Sequence, residues 1–292
     1  MFYCVFFVRF VKSDTRSRHD AKALLKRLRQ GMTGYLNIRE LIVENVETQI
    51  SQHISGFPES LVNYLRNDYE DDLMVVIEDL LPLDLQQKME DEARALLEKN
   101  ALRREVIIKQ SGSTPRAYDS VGRNAIREEG KYIPAFFDSP SVLKFLSRIT
   151  GETLYRVPYE PEEFIINSQN KSGDTHGWHW DDYSYALVWV IDEPDVLSGA
   201  RVEFIPHVPW KKENTREWIK KTLAEYPVIS RHVARGQCYL LRARDALHRI
   251  APLTQESRRT VIVFTYANDL DFKDTSLTHD SMEDIYPQDT AQ

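Results

Sequence analysis

The chain has 292 residues, 45 acidic against 38 basic, for a net charge of −7. That balance lacks the basic face of a general nucleic-acid binder, and 42% apolar residues suffice for a sizeable globular core. Two cysteines, Cys4 and Cys238, exclude a disulfide framework and a thiolate zinc cage.

The chain opens on "MFYCVFFVRFV", an apolar run of eleven residues interrupted by Arg9. A spanning helix needs about 20 apolar residues, and a signal peptide carries its charge before the apolar run rather than after it. Residues 1–31 are therefore expected to be an extension outside the working fold, with Met32 as an alternative start. The expected protein is cytoplasmic, with no membrane and no nucleic-acid partner.

Helical spacing is read at 18–30, and more firmly at 83–99, where Asp84 can cap and Leu85, Met89, Ala93, Leu96 and Leu97 recur near a period of 3.6. A third helix is predicted over 139–149, with Ser139 before Pro140 at its start and Gly151 at its end. Residues 32–150 are expected to form a helical and mixed part packed on a strand-rich barrel. Strands are predicted at 154–157, 163–167, 185–192, 200–205, 238–243 and 260–267, with two more at 74–79 and 104–109. A helix at 213–225 interrupts them, and 271–292 reads as a tail. Many short strands with outer helices predict a mainly β antiparallel sandwich or barrel, its core at 151–270.

The chemistry concentrates in "THGWHWDDYSYALVWVID" (175–192). Residues two apart in an extended segment share a face, so His179 and Asp181 offer an imidazole nitrogen and a carboxylate oxygen together. His248, beyond the strand at 238–243, is a candidate third ligand. Two histidines and one carboxylate on one face suit a non-haem Fe(II) ion with open positions. Arg258, ten residues after His248, opens a strand and could grip a carboxylate bidentately; Arg259 is its rival on the opposite face.

His-x-Asp, a distant His and an Arg ten residues later resemble the Fe(II)/2-oxoglutarate-dependent oxygenases. The resemblance implies a double-stranded β-helix, a jelly-roll or cupin-like barrel, over roughly 150–270. It implies Fe(II) on His179, Asp181 and His248, 2-oxoglutarate on Arg258, and O₂ as co-substrate. "HGWHWDDYSYALVWVID" is more narrowly similar to the radical oxygenases of free cationic amino acids, the lysine chlorinases of the BesD type and their hydroxylase relatives. In the halogenases glycine stands where this chain has Asp181, and the open position takes chloride. An aspartate there implies hydroxylation, with release of succinate and CO₂.

By the same resemblance Arg116, Glu162, His176 and Asp182 match substrate-contacting positions. A free basic amino acid needs a cation for its carboxylate and acceptors for its ammonium groups. Arg116, in the turn-like "STPRAYDSVGR", suits the first; Asp182 and the "EPEEF" carboxylates Glu162 and Glu163 suit the second. Lysine is the first expected substrate, with arginine or ornithine next. A peptide residue as substrate, and a non-catalytic cupin-like binding module, are the alternatives.

Overall fold

The computed structural model describes residues 35–290. The helix expected at 18–30 and the N-terminal extension fall outside the described residues. Contacts separate Met1–Asn45 from a unit spanning Val46–Gln292. The first described helix is α1 (Tyr35–Ser55).

Helix α2 (Glu59–Asp72) leads into strand β1 (Met74–Ile77), and α3 (Leu83–Asn100) leads into the hairpin β2 (Leu102–Ile108) and β3 (Thr114–Val121). Pro82 stands at the N-cap of α3, and Asp84 lies in its first turn, where a carboxylate favours the helix dipole without capping a backbone N–H. Short helices α4 (Arg123–Glu129) and α5 (Tyr132–Phe137) come next, then α6 (Pro140–Thr150). The Ser139 hydroxyl accepts from the Val142 N–H, Pro140 occupies the first turn, and Gly151 closes α6 in the left-handed region. The remainder is strand-rich: β4 (Tyr155–Arg156), β5 (Phe164–Gln169), β6 (Thr175–His179), β7 (Tyr185–Asp192), β8 (Val202–Ile205), α7 (Thr215–Glu225), β9 (Ile229–Arg231), β10 (Cys238–Leu241), β11 (Leu247–Ile250) and β12 (Arg259–Ala267). Helices α8 (Asp280–Ile285) and α9 (Pro287–Thr290) end the described chain, in what the sequence presented as a plain tail.

The sheet runs β1-β10-β7-β12-β5-β3-β6-β11-β8-β9, with antiparallel pairing throughout and β2 and β4 added at its side. This is a double-stranded β-helix with flanking helices. Strand β3 makes the turn between the two layers. Its Asp119–Val121 end pairs with β5, while Arg116 and Ala117 pair with β6. The barrel thus draws β1, β2 and β3 from before residue 151. "STPRAYDSVGR" reads as a turn because Gly112, Pro115 and Gly122 punctuate it, yet pairing with three strands holds it extended.

Burial explains why β7 shows no polar alternation. All its residues from Tyr185 to Ile191 are buried because both faces are covered. Ala186, Val188 and Val190 face the interior between the layers, with Met74, Leu241 and Val261. Trp189 faces out under Phe136 of α5, whose neighbour Phe137 packs on Phe164, Phe264 and Tyr266. Among the described residues no helix is long and apolar enough to cross a membrane.

The C-terminal helices are fastened at a point that tests the packing. Asp289 Oδ1 accepts from the Asn124 N–H at the start of α4, 2.7 Å away, and a Cβ on Gly122 would lie 2.0 Å from Asp289 Oδ2. Gly122→Ala should therefore expel the carboxylate and lower stability by about 1–3 kcal/mol. Thermal unfolding of the single and double variants checks this. In the Asp289→Ala background, Gly122→Ala should cost much less.

Candidate metal centre and substrate pocket

Strand pairing brings the histidines together. His179, the last residue of β6, is the cross-strand partner of His248 in β11, and their ring centroids are 4.1 Å apart. His179 Nδ1 lies 2.7 Å from the Gly177 carbonyl, and His248 Nδ1 lies 2.9 Å from the Ala246 carbonyl. A carbonyl only accepts, so both Nδ1 atoms carry the proton and both Nε2 atoms keep a free lone pair. Those lone pairs face Asp181, just beyond the end of β6. Its Oδ1 is 3.3 Å from His179 Nε2 and 3.6 Å from His248 Nε2.

These three groups place their ligand atoms within 4.8 Å of one another. Burial, and then the proximity of His248 and Arg116, push His179 down to about 3. It is neutral at ordinary pH, the state that binds metal. Burial opposes ionisation of Asp181, but the neighbouring His248, His179 and Arg116 outweigh it and hold the carboxyl low. Two imidazole nitrogens and one carboxylate on one side, with a cavity on the other, make a donor set that suits a three-ligand iron centre with open positions.

At Gly177, β6 lies tight against β3. A Cβ there would lie 2.8 Å from Pro115 Cδ, 2.9 Å from the Pro115 carbonyl oxygen and 2.9 Å from Thr114 Cβ. Backbone cannot swing aside, so Gly177→Ala should part the strands and cost about 3 kcal/mol, the upper end for overpacking. Because the Gly177 carbonyl also orients His179, metal affinity should fall roughly 10- to 100-fold. Denaturant titration and metal titration measure the two effects separately.

The cavity beside this triad has a volume of about 140 Å³. Arg116, His176, Glu162 and Asp182 all line it. Arg116 is paired in register with His176, whose ring stacks between Tyr118 and His179 at 5.3 and 4.2 Å. Arg116 is 2% exposed, and its guanidinium donates only to neutral oxygens: the Thr114 and Ser111 hydroxyls and the Pro115 and Gly177 carbonyls. Its Nε has no partner, and among the described residues no carboxylate lies within ion-pair distance. Burial pulls it down to about 10, so it keeps its charge at neutral pH without a counter-ion.

Arg259 repeats this condition elsewhere in the wall of the same cavity. It is buried, 3.5 Å from Gln169 Oε1 and 3.3 Å from the Tyr239 hydroxyl, again with neutral partners only. Arg258, the expected grip for a carboxylate, is exposed and does not line the cavity. The guanidinium that faces the cavity is that of its rival, Arg259. Along β12, Arg259, Val261, Val263 and Thr265 share the inner face, and Arg258 precedes the strand on the outside.

The acidic pair is less free than the sequence suggests. Asp182 Oδ1 accepts from Lys212 Nζ at 2.9 Å, and Glu162 Oε1 lies 2.7 Å from His279 Nδ1. Glu163 turns away to Arg123 and Arg127. Sequence reasoning missed Lys212, His279, Gln169 and Tyr239. His279 lies 31 residues beyond His248 in "SLTHDSMED", with no local pattern to single it out.

A family model described as Halogenase D matches residues 57–287. No curated protein matches the chain. Among solved structures, the chain is similar to the non-heme α-ketoglutarate-dependent epimerase SnoN from nogalamycin biosynthesis: 14% identity, TM-score 0.58, covering 72% of this chain and 82% of that one. It is similar to the carbocyclase SnoK of the same biosynthesis, with 14% identity, TM-score 0.56, and coverage of 74% and 86%. A prolyl hydroxylase from Trichoplax adhaerens, solved with a hypoxia inducible factor peptide, has 11% identity, TM-score 0.53, and coverage of 75% and 94%. At such identities the likeness is one of fold.

Proposed function

Because the chain belongs to the Halogenase D family, we propose that it is an Fe(II)/2-oxoglutarate-dependent hydroxylase of a free basic amino acid, L-lysine first. The observation that carries this is Asp181, whose Oδ1 sits within 3.6 Å of both histidine Nε2 atoms. A carboxylate there completes the ligand set and leaves no vacancy for a halide. When bound, Fe(II) with 2-oxoglutarate and O₂ supplies the power to replace C–H by C–OH, releasing succinate and CO₂.

The side chains of the pocket divide the remaining work. Arg259, buried and without a carboxylate, holds the far carboxylate of 2-oxoglutarate. Arg116, in the same condition nearer the triad, takes the amino acid's carboxylate. Glu162 and Asp182 accept the side-chain ammonium. The apolar wall of Ala186, Val188, Leu241 and Val261 keeps bulk water from the co-substrate end.

The test is one incubation of purified protein with Fe(II), ascorbate, 2-oxoglutarate and the common amino acids plus ornithine, read by mass. The expected result is gain of one oxygen on lysine, with succinate in equal amount. Oxygen gained on arginine or ornithine instead moves the substrate within the same reading. Turnover of none of them, with oxygen gained on peptide residues, overturns the free amino acid reading. No oxygen consumption under any of these conditions leaves a binding module.

A further inference from the structure

The acidic end of the pocket already contains its own cations. His279 Nδ1 lies 2.7 Å from Glu162 Oε1 and 4.0 Å from Asp182 Oδ2. It therefore stands between the two carboxylates proposed to receive a substrate ammonium. Its ring is fixed by stacking on Tyr159 at 4.2 Å and leaning on Tyr183 at 5.4 Å. On the far side Lys212 Nζ is committed to Asp182 Oδ1 and to the Ser276 carbonyl.

We propose that the His279 proton is the counter-ion of the empty pocket, and that a substrate ammonium binds at Glu162 by displacing that proton to solvent. The inference rests on the reading that a cationic side chain docks at Glu162 and Asp182. Charge counting gives the reason. Among the groups in direct contact, Glu162 and Asp182 against Lys212 and protonated His279 sum to zero in a largely buried cluster. An added ammonium would leave an uncompensated positive charge, which is costly there, whereas loss of one proton restores balance. The exchange is one cation in and one proton out.

The surroundings support a proton at this point. Burial alone would lower His279, but the hydrogen bond to Glu162 and the Glu162 and Asp182 charges raise it above the ordinary histidine range, with Lys212 opposing. Glu162 itself is pushed up to about 7 by burial, and the Asp182 and Asp181 charges add to this while His279 opposes it. The remaining titratable groups facing the ring are the Tyr159 and Tyr183 phenols, both raised by burial and by Glu162, hence neutral. Asp280, on His279's own segment, lines the same cavity.

This arrangement makes His279 a specificity device. A neutral isostere such as norleucine cannot replace the proton, so it meets a closed ion pair and gains nothing from Glu162. The proton and the ammonium compete, so substrate binding weakens as pH falls through the empty-pocket pKa of His279. Lysine's own ammonium stays charged to about pH 10.

The experiment uses Zn(II)-loaded, 2-oxoglutarate-bound protein with ¹⁵N-labelled histidine, the His279 signal being assigned by its loss in His279→Gln. His279 is expected to be an imidazolium near neutral pH and to become neutral on saturation with lysine. Calorimetry in buffers of different ionisation enthalpy should then count close to one proton released per lysine bound. With the Fe(II) enzyme, KM for lysine should fall about tenfold per pH unit up to the break and then level. His279→Lys, which keeps its proton from about pH 6 to 9, should hold KM high without a break. Lysine binding with no proton released, or with His279 still an imidazolium, overturns this inference and leaves the hydroxylase reading standing. Failure of lysine, ornithine and arginine all to bind overturns both. A second equivalent of Zn(II) held in wild type and lost in Glu162→Gln would make the cluster a metal site and overturn the inference too.

Discussion

Asp181→Ala is expected to abolish coupled hydroxylation, lowering succinate formation with lysine by more than about 100-fold. Loss of a hydrogen bond behind a metal ligand already costs 10- to 100-fold, and removing the ligand itself costs more. The metal-free protein should unfold at nearly the wild-type temperature, because the Asp181 side chain is 27% exposed and its contacts are with the two histidines. Adding metal separates the cases. An ion at 100 times its Kd stabilises a folded protein by about 2.7 kcal/mol, and the variant should lose most of that increment. Asp181→Gly goes further. Glycine removes one negative charge from a buried centre, and a halide restores that charge in the same place. In chloride, this variant should yield chlorine in place of hydrogen on the product, where the wild type adds oxygen. A variant that hydroxylates as well as wild type would show that Asp181 is no ligand. One that binds iron but never takes chloride would show that the vacancy alone does not decide the product.

The His179 and Asp181 half of this candidate centre is legible in the sequence because it depends on local spacing. His179 and Asp181 are two apart at a strand end, and period-two geometry alone puts them on one face. The next strand, β7, is equally plain, eight apolar-rich residues bounded by turns. Elements whose conformation comes from pairing partners are not legible. Strand β3 carries Pro115 and is flanked by glycines, so its residues read as a turn. Only pairing with β2, β5 and β6 makes it the strand that delivers Arg116 beneath His176. His279 is further out of reach. Its place beside Glu162 is set by α8 and α9 folding back over the pocket, through Asp289 at α4 and the Tyr286 hydroxyl donating to Asn167. Those are contacts across 119 and 165 positions, and no local pattern encodes them.

Arg259→Leu and Arg258→Leu should differ by two to three orders of magnitude. The two arginines are adjacent at the head of β12, where both faces are apolar: Val261 and Val263 inward, Ile262 and Phe264 outward. Hydrophobic alternation is therefore silent on which guanidinium enters the barrel. The register decides it. Arg259 is the cross-strand partner of Gln169, and its side chain reaches Gln169 and Tyr239 inside, while Arg258 is exposed. A buried guanidinium with only neutral partners is an unbalanced charge that a dicarboxylate can satisfy. Removing one member of such a buried charged pair costs about 2–5 kcal/mol. KM for 2-oxoglutarate should accordingly rise roughly 100- to 1000-fold in Arg259→Leu, with KM for lysine changed far less. Arg259→Lys should recover only part of the loss, because an ammonium offers a point charge without the planar fork. Arg258→Leu should be indistinguishable from wild type in both constants. The reverse outcome, a lost co-substrate affinity in Arg258→Leu alone, would place 2-oxoglutarate outside the barrel and would refute the inward register of β12 as the basis of its binding.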